Sequence, residues 1–110
     1  MAYDVALAAR VRAMLADNPT VREQTMFGGL AFLLAGRMAV AASGQGGLLV
    51  RVGAEHAERL LATTAAQPME MKGRTMRGWL HIDGEHLQSN RQLAEWVAIG
   101  TAASLAASTG

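Results

Sequence analysis

Between Val21 and Val52 the apolar residues fall on alternate positions, and glycines interrupt them at short intervals. Leu30, Phe32 and Leu34 share one face of an extended segment, with Ala31 and Leu33 on the other. Met38, Val40 and Ala42 continue the apolar face. Leu48, Val50 and Val52 repeat it, with Leu49 and Arg51 directed oppositely. Period-two alternation is the pattern of a half-buried strand. Val21 to Phe27 reads as a short first strand, followed by a bend or bulge at Gly28-Gly29. Ala35-Gly36 is a two-residue turn and Ser43 to Gly47 a second one. Strands joined by turns this tight must run antiparallel, because a parallel pair needs a long crossover.

Helical patterns flank this meander. Tyr3, Leu7, Val11, Met14 and Leu15 lie on one helix face, Asp4 suits the positive end of the helix dipole, and Asn18-Pro19 ends the segment. Gly53 closes the strand region, and Ala54 to Ala62 reads as a short helix with Ala57, Leu60 and Leu61 inward. Thr63 to Pro68 is a loop. A further hairpin runs from Pro68 to Met71, turns at Lys72-Gly73, and returns from Arg74 to Ile82, with Met76, Leu80 and Ile82 inward. Asp83-Gly84 marks another turn. Ser89 and Gln92 form a capping box for a last helix, whose inner face is Leu93, Trp96, Val97 and Gly100. From Ala102 onward the residues are small, and fraying is expected.

The expected fold is α+β in two layers, an antiparallel sheet with helices on one face, in the order α-β-β-β-(β)-α-β-β-α. The opposite sheet face, with Ala31, Leu33, Ala39, Ala41 and Leu49, then needs a cover. That cover is either a closely packed helix or another chain.

A chain of 110 residues, 51% hydrophobic, fits one domain, expected over residues 4–105 with a frayed tail at 106–110. It has no cysteine, which excludes disulfides, thiolate metal sites and a cysteine nucleophile, and suits a cytoplasmic setting. Ten basic residues against nine acidic ones supply no global field for nucleic acid or an anionic membrane. No transmembrane segment or signal peptide is indicated.

Candidate chemistry is sparse. Gly44, Gly46 and Gly47 are followed by a strand and no lysine, so a hairpin turn explains them better than a phosphate cradle. His81, Asp83, Glu85 and His86 lie within six residues, and His81, Asp83 and His86 are the candidate metal ligands, since imidazole and carboxylate suit divalent ions. Their spacing matches no established zinc signature, and an ordinary polar turn also accounts for them. Arg51, Lys72, Arg74 and Arg77, with Trp79, form a modest basic cluster that suits an acidic partner or weak nucleic-acid contact. Charges that guard an edge strand are the plainer explanation. The serines lack a nucleophile-elbow setting, so no catalytic residue is assigned. A methionine row at Met69, Met71 and Met76 would signal an adaptable groove if exposed and core packing if not.

Several segments carry a family resemblance as a set. They are Met26-Phe27-Gly28-Gly29-Leu30-Ala31-Phe32, Gly36-Arg37-Met38, Leu49-Val50-Arg51-Val52-Gly53, Pro68-Met69, Gly73-Arg74-Thr75-Met76-Arg77-Gly78-Trp79 and Leu93-Ala94-Glu95-Trp96-Val97. From about Leu7 to Ala103 the chain resembles the TfoX N-terminal domain family. The resemblance implies an α+β fold similar to secretion-chaperone folds, which often dimerise. It also implies a regulatory role, since TfoX/Sxy proteins are regulators of natural competence that act with the cyclic-AMP receptor protein on DNA. Those proteins carry a second, helical domain, and this chain is similar to their N-terminal domain only. The resemblance carries over no catalytic residue and no cofactor. The expected function is therefore a non-catalytic regulatory or protein-interaction domain, as a homodimer or with another regulatory protein. A metal- or small-ligand-binding module at His81–His86 is the first alternative and weak nucleic-acid binding the second.

Overall fold

The computed structural model describes residues 3–26, 28–71 and 73–109. Helix α1 (Val5–Met14) starts where the Asp4 carboxylate accepts a hydrogen bond from the Leu7 N–H at 3.1 Å. Four antiparallel strands follow: β1 (Val21–Met26), β2 (Gly29–Leu34), β3 (Arg37–Ala42) and β4 (Leu48–Arg51). Phe27, expected to close the first strand, lies outside the described residues. Helix α2 (Ala54–Thr63) leads to β5 (Gln67–Met71) and β6 (Arg74–Ile82), and a short 3-10 turn at Gly84–His86 precedes α3 (Asn90–Thr109).

The strands form one sheet in the order β1-β2-β3-β4-β6-β5, with every neighbouring pair antiparallel. The meander runs in sequence order through β4. The chain then leaves the sheet through α2 and returns so that β6, the later strand, pairs with β4. Leu48 lies opposite Ile82, Val50 opposite Leu80 and Arg51 opposite Trp79. This leaves β1 and β5 as the two edges.

The core lies between one sheet face and the helices, as the alternation dictates. Phe32, Leu34, Val40, Leu48, Val50, Leu80 and Ile82 supply the sheet side, and Leu7, Val11, Leu93 and Val97 the helix side. Ala57, Leu60 and Leu61 of α2 are only partly buried at its margin. The capping box holds: the Gln92 N–H donates to Ser89 Oγ at 3.1 Å, and the Ser89 N–H donates to Gln92 Oε1 at 3.2 Å. Among the described residues no helix is long and apolar enough to cross a membrane.

Two details depart from strict alternation. In β3, Val40 stands opposite Phe32 but Met38 stands opposite Leu33, so Ala39 is an extra residue and the strand bulges. The bulge places Ala39 in the helix-side core with Val40, and Ala39 leaves the opposite face to which alternation had assigned it. Met38, expected inward, lines that opposite face instead. In β6, Gly78 takes φ +82° and its carbonyl accepts both the Val52 N–H at 2.8 Å and the Gly53 N–H at 3.1 Å. The strand segment before it runs beside α2, so Met76 is 37% exposed and not inward. Helix α3 is continuous to Thr109. Ser104 is buried, and its hydroxyl donates to the Arg37 carbonyl at 3.4 Å, which ties the helix to the start of β3.

Candidate functional site

The sheet face turned away from the core forms a groove of about 630 Å³, lined by strand and turn residues and by no described helix. Its floor and walls include Met26 of β1, Met38 and Ala41 of β3, Leu49 of β4, Met69 of β5 and Trp79 of β6. The crossover decides this grouping. Because β6 pairs with β4, Leu49 faces His81 in register and Gln67 of β5 faces His81 from the other side. Alanine at position 41, opposite Ala31, keeps the floor low, while the longer side chains around it build the walls.

Polar groups converge at one end. The turn after β3 is closed by the Ser43 N–H donating to the Gly47 carbonyl at 3.0 Å and the Gly46 N–H donating to the Ser43 carbonyl at 3.0 Å. Gly47 has φ +76°, and a Cβ there would meet the Ile82 carbonyl and come within 2.9 Å of His81 Nε2. Glycine at 47 thus lets the turn lie on the imidazole. His81 Nε2 lies 2.8 Å from the Gly46 carbonyl oxygen, which can only accept, so Nε2 carries the proton. The other ring nitrogen, Nδ1, lies 3.5 Å from Asp83 Oδ1. Both nitrogens of His81 thus lie beside protein oxygens, and the contact with Asp83 becomes an ion pair when the imidazole is protonated. Asp83, Ser43, Gln45 and Gln67 also line the groove, and its other carboxylate, Glu70, lies farther along β5, opposite Thr75.

The candidate metal ligands do not assemble. His81 and Asp83 are close, but His86 belongs to the turn that follows and stands 3.7 Å from Glu85 through its Nε2. Among the described residues no group of three histidines or carboxylates has an arrangement suited to a metal ion. The glycines of residues 44–47 form a hairpin turn between two strands, as expected, and no helix N-terminus follows them.

The basic cluster comes together only in part. Arg51 and Trp79 are register partners, and the guanidinium lies over the indole, 5.3 Å from the ring centre. The Arg51 Nε is buried without a hydrogen-bond partner and faces this stacking arrangement. Arg74 and Arg77 are exposed on the part of β6 before Gly78, and Arg77 borders the cleft against α2. Lys72 lies outside the described residues. Of the methionine row, Met69 is buried in the groove wall, Met76 is exposed, and the side chain of Met71 is outside the described set.

Sequence reasoning did not find Met26 and Met38 as groove residues, nor the convergence of Gln45, Gln67 and Asp83. The β3 bulge that redirects Met38 has no marker in local composition. Only the alanine-rich second face pointed here.

A family model described as the TfoX N-terminal domain matches residues 13–104. No curated protein matches the chain.

Proposed function

Since the chain belongs to the TfoX N-terminal domain family, a regulatory type of domain, we propose that it is a non-catalytic, cytoplasmic regulatory module that acts by protein–protein contact and pairs with a second copy of itself through the β1 edge. The observation that carries this reading is the difference between the two sheet edges. β5 is guarded: it contains Pro68, and its register with β6 shifts between Pro68 and Glu70. Proline and bulges are the usual means by which an edge strand avoids pairing. β1 has neither. It pairs with β2 in unbroken register over six residues, and four of its residues are exposed. Its outer N–H and C=O groups form a regular row open to another strand.

The sequence of this edge suits two-fold antiparallel pairing. With the axis beside Gln24, Gln24 stands opposite its own copy, Glu23 opposite Thr25 and Arg22 opposite Met26, so no like charges face each other. The product is one continuous sheet with the helices of both copies on the same side.

Sedimentation equilibrium at high micromolar concentration tests the proposal. The expected species is a dimer. In a strand, successive N–H groups point alternately toward and away from the neighbouring strand. One of Gln24→Pro and Thr25→Pro therefore removes an outward N–H and leaves the β1–β2 pairing intact. That variant should keep its thermal stability and sediment as a monomer. A wild-type protein that is monomeric throughout, or two proline variants that both remain dimeric, overturns the reading.

A further inference from the structure

The face opposite the helices stays open in β1-edge pairing, and its groove is a built cavity with a distinct chemistry. We propose that it is a binding site for a lipophilic organic cation, a small apolar ligand that carries one positive charge. Its volume of about 630 Å³ falls inside the range of roughly 300–1,000 Å³ typical of small-molecule sites. Its walls are unusually adaptable. Met26, Met38 and Met69 line it, and flexible, polarisable thioethers conform to ligands of varied outline. Trp79 adds an indole, whose ring face attracts cations. This molecule already shows that attraction, in the Arg51 guanidinium placed 5.3 Å from the same ring.

Charge selects the sign of the ligand. The chain carries ten basic residues against nine acidic ones, yet no described lining residue is a lysine or arginine. The lining does contain the carboxylates of Glu70 and Asp83. Asp83 lies beside His81, with its Oδ1 3.5 Å from His81 Nδ1, and Glu70 has no such neighbour among the described lining residues. Carboxylates beside an apolar wall favour a cation that shields its charge with hydrocarbon, since such an ion loses little hydration on entry. Arg51 lies at the margin of this groove, outside its lining. Arg51, and His81 if protonated, are the features that would favour an anion.

Two ions of one shape and opposite charge separate these possibilities: tetraphenylphosphonium and tetraphenylborate. Each is titrated into protein labelled with 13C at the methionine methyls. Tetraphenylphosphonium is expected to bind saturably and to shift Met26, Met38 and Met69, while Met14, packed against the helix-side core, stays in place. Tetraphenylborate should bind at least about tenfold more weakly. Replacing both surface carboxylates, Glu70→Gln with Asp83→Asn, should weaken phosphonium binding by about tenfold, as expected when the negative charge of a partly solvated lining is removed. The proposal is overturned by equal or preferred binding of the borate, by shifts confined to other methionines, by an unaffected double variant, or by no saturable phosphonium binding. The readout is local to the groove and does not depend on whether the protein is a dimer.

Discussion

Gly100 sits where α3 crosses β3. A Cβ there would come within 2.6 Å of the Ala39 carbonyl oxygen and 2.7 Å of Val40 Cγ1. The first contact is with backbone, which cannot yield without moving the strand, so helix and sheet must separate. Gly100→Ala is expected to destabilise the protein by about 1–3 kcal/mol in urea denaturation, although alanine is the better helix former. At Arg12 and Glu23 the guanidinium reaches from α1 to β1 with two hydrogen bonds, one of 2.8 Å from Nη2 to Oε1. The hydrogen bond from Arg12 holds the Glu23 carboxyl below the usual glutamate range, against an opposing effect of burial that outweighs the attraction of the Arg12 charge alone. A carboxyl whose pKa is lowered on folding contributes stability above its unfolded pKa. That contribution disappears as pH falls through the folded value. A carboxyl-carbon NMR titration should show Glu23 titrating at lower pH than an ordinary glutamate, and Arg12→Ala should return it to the ordinary range. No change in the variant would mean that the pair does not persist in solution.

Among the elements, those defined by local signals are legible in the residues themselves. Asp4 and Ser89 begin helices because their side chains satisfy free N–H groups, and that chemistry reaches only three residues along the chain. The hairpin turns are equally local. Met38 and Met76 show where such reading stops. Their positions depend on a bulge at Ala39 and a bend at Gly78, which arise from packing against α3 and from the hydrogen bonds of Val52 and Gly53. The far half of α3 was also hidden, because a run of alanines and serines has no amphipathic signature until Ser104 is seen to lie against β3. Strand β4 gives the clearest test of the two faces. Leu48 is fully buried in the core, and its neighbour Leu49 lines the open groove. Leu48→Ala should cost about 2–5 kcal/mol in chemical denaturation. Leu49→Ala should cost well under half of that, and equal losses would show that the groove face is covered in the folded protein.

At the scale of the molecule, one connection matters most. The passage through α2 and β5 places β6 beside β4, which brings Trp79 and His81 alongside Arg51 and Leu49. The groove, its carboxylates and the cation stacked on its indole all follow from that pairing. The same topology leaves β1 as the unguarded edge and β5 as the guarded one. Two surfaces of different character result: a regular backbone edge suited to another strand, and a thioether-lined cavity suited to a small ligand. The proposed dimer contact and the proposed ligand site would share one sheet.

The residues alone determined the antiparallel meander, the presence of three helices, the capping box at Ser89 and most of the helix-side core. Each rests on periodicity or on contacts between near neighbours in the chain, and both are written in the order of the residues. The family too was legible, because its motifs are spread along nearly the whole chain. Tertiary structure alone decided which strand lies beside β4, which way Met38 turns, and that His81, Asp83 and His86 do not gather around one point. Those outcomes depend on contacts between segments far apart in the chain. Strand pairing and helix packing settle them only when the whole sheet has formed.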